Sequence, residues 1–263
     1  MEFRPDKELH DRFLTWIESF GSQPARNWPL LYKDSPEAAM CEATFWELMT
    51  NCGVDIAPQW DSLGMQTGPD FVCTKDGQKF YLEVTCLLKD RVTKETGLAD
   101  VPDKEIGVQG FGDLNNAFFN EMKNKTPQCA HLDAPCILGL GTFHVQASSL
   151  CCQRQTLESL LTGKQLISQK VDTRTGSPVG DVYMSTQLES AAFIRPGGDA
   201  VVEYARSPIS AILIGGFGIT PPSIHGLIHP KPARQFDRAL LSRIEFCRLK
   251  PDSPPGKLAV EWI

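Results

Sequence analysis

The dipeptide Asp76-Gly77 separates two short runs of residues, 69–74 and 79–88, that are rich in apolar and β-favouring side chains. Aspartate and glycine tolerate the positive φ that a two-residue turn demands at both central positions, so this pattern predicts a β-hairpin. Its register follows at once. A two-residue loop sets Lys75 opposite Gln78, and counting back along both strands sets Asp70 opposite Glu83. Residues directly opposed in a hairpin share one face, with Cβ atoms roughly 4.5–5.5 Å apart. The other face then carries Phe71 and Cys73 against Phe80, Leu82 and Val84, which is a core face. A bulge within the hairpin would break this pairing.

Two carboxylates facing each other on a sheet repel. Placed beside a hydrophobic core, they need a shared proton, a basic partner or a bound cation. Oxygen-only ligands of this kind suit Mg²⁺ or Mn²⁺.

A third carboxylate comes from the preceding helix. Ser35 as N-cap and Pro36 at the first helical position announce it, and Gly53 ends it. At about 100° per residue, Cys41, Phe45, Leu48, Met49 and Cys52 form one apolar stripe. Glu42 lies roughly 80° from the centre of that stripe, at its border with the core, whereas Glu47 points to the far side. Glu42 is therefore expected to reach a neighbouring site and Glu47 to face solvent.

The remaining elements are read from periodicity and punctuation. Residues 6–20 form an amphipathic helix with Leu9, Phe13, Trp16, Ile17 and Phe20 on one side, and 21–29 read as a linker. A polar loop spans 89–112, and a helix runs from Asp113 to a stop before Pro127. Residues 134–140 and 210–216 are short apolar runs that read as buried strands. Residues 154–172 and 234–248 look helical, 173–200 partly irregular, and 257–263 alternate like a final strand. With no repeat and no sharp linker, residues 1–263 read as a single α/β domain with a mixed central sheet flanked by helices.

A helix bearing Glu42, then Gly68-Pro69-Asp70-Phe71 on one strand and Leu82-Glu83-Val84-Thr85 on the next, then helix and strand, resembles the PD-(D/E)xK (restriction-endonuclease-like) nuclease core. The resemblance covers about residues 36–145, with the strand near 210–215 as a further core strand. It implies that Asp70 and Glu83, helped by the Val84 carbonyl, hold a Mg²⁺ or Mn²⁺ ion, with Glu42 as the accessory acid. The activity it implies is hydrolysis of a phosphodiester in DNA, with RNA the lesser alternative, by a monomer or a homodimer.

One position departs from that family's pattern. Thr85 stands where a lysine is usual, two residues after the glutamate. The candidates for a relocated lysine are Lys89, Lys123 and Lys125. On the helix from Asp113, the inward stripe is Leu114, Ala117, Phe118 and Met122; Lys125 falls about 20° from Leu114 and Lys123 about 180° away. Lys125 is thus the candidate for the catalytic role. The alternative is an i,i+4 ion pair with Glu121. Without a working lysine the chain would be a nucleic-acid-binding relative that has lost catalysis, and with a merely proton-sharing Asp70–Glu83 pair it would be a structural or partner-binding protein.

Composition narrows the setting. With 41% hydrophobic and 22% charged residues the chain has an ordinary globular balance, and no apolar run approaches the roughly 20 residues of a membrane span. The opening residues lack the apolar stretch of a signal peptide, so a cytoplasmic, reducing location is expected. The nine cysteines are an odd number and mostly sit in apolar runs, which points to free buried thiols. A net charge of −6 excludes a polycation built to coat nucleic acid. Between Lys231 and Lys250, however, Lys231, Arg234, Arg238, Arg243, Arg248 and Lys250 outnumber Asp237 and Glu245. A phosphate-contacting face led by Lys231, Arg234 and Arg238 is one reading, and a solvated basic helix face is the other.

Other patterns carry less. Cys129, His131 and Cys136 are poorly spaced for zinc. Gly215-Gly216-Phe217-Gly218 reads as a turn, and His225 and His229 as part of a loop near the active face, since Gly226 and Pro230 argue against a helix there.

Overall fold

The hairpin turn has the backbone that its sequence demands: Asp76 (φ 51°) and Gly77 (φ 74°) both lie in the left-handed region of a type I′ turn. A computed structural model describes residues 3, 5–59, 68–101, 110–188, 190–197, 202–251 and 258–263. In it β2 (Phe71–Lys75) pairs with β3 (Gln78–Leu87) in the expected register, Phe71 opposite Leu82 through Lys75 opposite Gln78.

The hairpin is part of an eight-stranded mixed sheet of order β1-β2-β3-β4-β9-β10-β11-β12. Its other members are β1 (Asp55–Pro58), β4 (Cys136–Thr142), β9 (Ile209–Gly216), β10 (Ser223–Ile228), β11 (Glu245–Leu249) and β12 (Val260–Trp262). β3, β4 and β9 run parallel. Being covered on both faces, β4 and β9 are buried throughout, and their sequences read as continuous apolar runs. Two small hairpins, β5 (Lys164–Val171) with β6 (Pro178–Gln187) and β7 (Ile194–Pro196) with β8 (Val202–Tyr204), stand apart from this sheet.

Helices cover both faces. On one side lie α1 (Lys7–Glu18), α2 (Ser22–Asp34) and α3 (Pro36–Asn51), around a core that includes Phe13, Phe45, Phe71, Phe80 and Leu82. On the other lie α4 (Lys89–Thr96), α5 (Gly110–Lys125), α6 (Val145–Cys151) and α7 (Arg154–Thr162), around Leu114, Phe118, Leu138 and Leu140. α3 is sandwiched between α1, α2 and the sheet, so Ala43 and Trp46 are buried in addition to the stripe read from the sequence. The face of β4 beneath α3 carries Ile137, Gly139 and Gly141. A Cβ on Gly139 would stand 3.1 Å from the Phe45 ring, and one on Gly141 would stand 2.4 Å from the Cys41 sulfur. These glycines set how closely α3, and with it Glu42, approaches the sheet.

Several expectations are corrected. Residues 21–29 are not a linker: α2 fills most of them, with Pro24 in its first turn, where no N–H is needed, and Pro29 tolerated inside. The polar loop at 89–112 contains α4, closed by Gly97 in the left-handed region; 102–109 lie outside the described residues. α5 begins at Gly110 rather than Asp113. The helix expected over 154–172 stops at Thr162, because Gly163 (φ 82°) breaks it and β5 follows. Residues 234–248 hold only a 3-10 turn, Arg238–Leu241, and then β11: the pattern of Phe236, Leu240, Leu241, Ile244 and Phe246 reflects burial of a turn and a strand, not a helical stripe. His225 lies in β10, and His229 is buried just after it with Nε2 at 2.8 Å from the Ala205 carbonyl oxygen. β6 and β7 fall within 173–200, read as partly irregular, and β1, α6 and β8 had no sequence expectation. All nine cysteines are free thiols. Among the described residues, no helix is long and apolar enough to cross a membrane.

Candidate metal centre

The site begins where the hairpin ladder ends. β3 continues to Leu87 while its partner β2 starts only at Phe71, so beyond Leu82 the outer side of β3 has no strand beside it. Val84 is the next residue whose N–H points that way. Asp70, immediately ahead of β2, fills the vacancy: its Oδ2 accepts the Val84 N–H at 2.7 Å. In a strand the N–H and C=O of one residue point to the same side, so the Val84 carbonyl faces the same notch. The Asp70 carbonyl accepts from Gln59 N at 2.8 Å, which ties the residue to the end of β1.

Glu83 is next along β3 and is 1% exposed. It shares its face with Tyr81 and Leu87, toward α5. Lys125, at the C-terminal end of α5, donates from Nζ to Glu83 Oε1 at 2.6 Å, and its side chain is 25% exposed. Glu83 Oε2 is buried and, among the described residues, has no hydrogen-bond partner.

Glu42 comes from α3, on the opposite face, and is half-buried. Burial pushes its carboxyl well above the ordinary range, and the negative charges of Asp70 and Glu83 push it further, with Lys125 pulling the other way. Asp70 is also raised by burial, against the Val84 N–H and Lys125. Glu83 is raised to about 8 by burial and by the charge of Asp70, although Lys125 opposes both. Burial alone would lower Lys125, but Glu83, Asp70 and Glu121 outweigh it and raise its pKa. Glu83 alone of the three carboxylates contacts the ammonium, whose charge Asp70 and Glu42 feel from further away. Burial is the largest cause of the upward shift in all three carboxyls, and the single lysine opposes it.

The other candidates are placed as follows. Lys125 is not paired with Glu121. Glu121 is itself buried, takes the Arg91 Nη1 as its ion-pair partner, and accepts the Thr85 hydroxyl at 3.2 Å. Thr85, at the position where a lysine was sought, therefore anchors α5 to β3. Lys123 is exposed. Lys89 is buried with its ammonium 2.6 Å from Asp100 Oδ2, so it is committed elsewhere. Glu47 is half-buried and ion-paired with Arg12.

The basic segment is not joined to the cluster. Lys231 follows the end of β10, where its backbone N–H donates to His229 Nδ1, and its Nζ stands 5.9 Å from the Tyr204 ring centroid. Arg234 and Arg238 are exposed and share no helix with it. β4 and β9 lie between β3 and β10, three strand spacings or roughly 14 Å. Arg91, by contrast, had no place in the sequence reading, because α4 was not recognised as a helix; its i,i+4 pairing with Glu95 was the available signal.

Among the described residues, no three His, Cys, Asp or Glu side chains are gathered closely enough to hold a metal ion as they stand. The donor set nevertheless fits a hard divalent cation, because a buried carboxylate oxygen without a partner, Glu83 Oε2, sits in a cluster with surplus negative charge. No protein-family model, curated protein or solved structure matches the chain.

Proposed function

We propose that this chain hydrolyses phosphodiester bonds in DNA with Mg²⁺ or Mn²⁺ as cofactor, and that its core is of the PD-(D/E)xK type. The observation that carries the reading is the buried Glu83 Oε2, without a partner among the described residues, with Lys125 on the other oxygen and with Asp70 and Glu42 in electrostatic range. Asp70 and Glu83 would hold the cation directly, with the Val84 carbonyl available and Glu42 completing the set. When bound, the cation supplies Lewis acidity, lowering the pKa of a coordinated water and offsetting charge on the phosphate.

The protein's own groups do the rest. The Val84 N–H fixes the Asp70 carboxylate at the end of the ladder. Burial of Glu83 removes water that would otherwise weaken its electrostatic interactions. Lys125 is held within reach of the reacting phosphate by Glu83, where its ammonium orients the attacking water or offsets the charge that grows in the transition state.

The test is cleavage of supercoiled and linear DNA by purified protein. Nicking or cutting with Mg²⁺ or Mn²⁺, abolished by chelator and by Asp70→Ala, is the expected result. Metal binding without cleavage of any DNA would point to a nucleic-acid-binding relative that has lost catalysis. Absence of both would leave Asp70, Glu83 and Lys125 a structural cluster.

A further inference from the structure

Next to the carboxylates, α5 carries a second charged residue turned toward β3. Glu121 and Lys125 are one helical turn apart and engage alternate residues of one strand, Glu121 through Thr85 and Lys125 through Glu83. Thr85 and Glu83 lie on the same face of β3, since side chains two apart in a strand point the same way. Glu121 is thus drawn to the very position where the resemblance leads one to expect a lysine.

Glu121 is not left as a further uncompensated charge. Its Oε1 is ion-paired with Arg91 Nη1, from the first turns of α4, the helix that follows β3 directly. Arg91 Nε in turn donates to Glu95 Oε1 at 2.8 Å. The Arg91 side chain is 36% exposed, whereas that of Glu121 is 8% exposed. Two carboxylates, buried Glu121 on Nη1 and Glu95 on Nε, therefore hold two corners of a guanidinium whose third corner, Nη2, is open. Among the described residues, Arg91 Nη2 takes no hydrogen bond. A guanidinium fixed at two corners in this way is pre-organised to donate from Nη2 to a phosphate oxygen.

We infer that Arg91 is a phosphate contact for the nucleic-acid substrate, and that Glu121, braced by Thr85, is the positioning residue that aims it. The inference rests on the nuclease reading above and extends it. The positive charge missing at Thr85 is supplied by two residues, Lys125 at the carboxylates and Arg91 on the adjoining phosphate. Glu121 does not touch the substrate.

The experiment measures affinity for a short double-stranded DNA as a function of salt, with Ca²⁺ present to offset the carboxylates. Each phosphate contact made by a cationic side chain contributes about 0.9 to the slope of log K against log salt. Arg91→Gln keeps a polar N–H-bearing side chain, shorter than arginine, and removes the charge. It should bind at least about tenfold more weakly, the scale of a charge-assisted contact, and lower the slope by about 0.9. Arg91→Lys should bind more weakly while retaining the wild-type slope. Glu121→Gln should lower affinity and leave the slope unchanged, since the cation remains but is no longer aimed. An unchanged slope in Arg91→Gln would overturn the inference while wild-type cleavage left the nuclease reading standing. Equal loss of slope in Arg91→Lys would make the residue a structural tie, which also overturns it. Failure of the wild type to bind DNA at all would remove the nuclease reading and this inference together.

Discussion

Replacing Glu83 with glutamine tests the electrostatics of the cluster without disturbing its shape. Glu83 is buried, and its pKa is raised from 4.5 to about 8 by burial and the charge of Asp70. A carboxyl raised in the folded state binds its proton more tightly there than in the unfolded chain. Its contribution to stability is therefore complete below about pH 4.5 and is lost as pH climbs through about 8. Each unit of upward shift is worth about 1.4 kcal/mol, so the loss over that window is on the order of a few kcal/mol and lowers Tm by roughly several degrees or more. Asp70 and Glu42 are shifted in the same direction and reinforce it. Lys125, raised above 10.5, stays protonated throughout and adds no slope. Thermal melts of metal-free wild type and Glu83→Gln between pH 4.5 and 9 isolate the effect. The difference between the two curves should move steadily in favour of the glutamine variant as pH rises, whatever constant offset the altered Lys125 contact introduces. Mg²⁺ held as proposed would compete with those protons, so the Tm gain on adding it should grow from pH 5 to 8 in the wild type and be absent in Glu83→Gln. Parallel curves for the two proteins, or a Mg²⁺ gain independent of pH, would refute the reasoning.

Lys125→Ala should slow cleavage by roughly 10²-fold or more, the scale of losing one aimed electrostatic contact, while Lys123→Ala, at an exposed position, should change the rate little. Single-turnover kinetics measure both, and full activity in Lys125→Ala would remove that lysine from the reaction. Gly77→Ala places a Cβ on a residue at φ 74° and should cost about 1–2 kcal/mol, read as a lowered midpoint in urea. Gly226→Ala sets a Cβ about 2.1 Å from the Phe246 ring and should cost about 1–3 kcal/mol through overpacking; an unchanged melting point would show that the ring yields freely.

The local rules carried furthest where they were strongest. Asp76-Gly77 admits one tight turn, that turn admits one register, and a period of two then dictates which side chains share a face. The buried Phe71–Phe80–Leu82 face and the inward phase of Lys125 follow from that arithmetic and from the helical repeat, whereas the ladder ends with Phe71 opposite Leu82 and the Asp70 carboxylate accepts the Val84 N–H just beyond it. Continuous apolar runs likewise revealed β4 and β9, whose neighbours bury both faces. Where the local signal was weak or mixed, tertiary contacts decided. α4 has little apolar periodicity and is held by Val92 in the core and by the ties of Lys89 to Glu37 and Asp100. β11 and the 3-10 turn before it are spaced so that their buried residues imitate a helix, and only pairing with β10 and β12 makes a strand of Glu245–Leu249. The choice between Glu121 and Glu83 as partner for Lys125 was equally beyond a one-dimensional reading. A neighbour four residues away on the same helix is always available, whereas one 42 residues away becomes available only when the sheet and α5 have packed. Sequence spacing determines which face a side chain occupies, and the partner it meets there depends on long-range packing that no local period encodes.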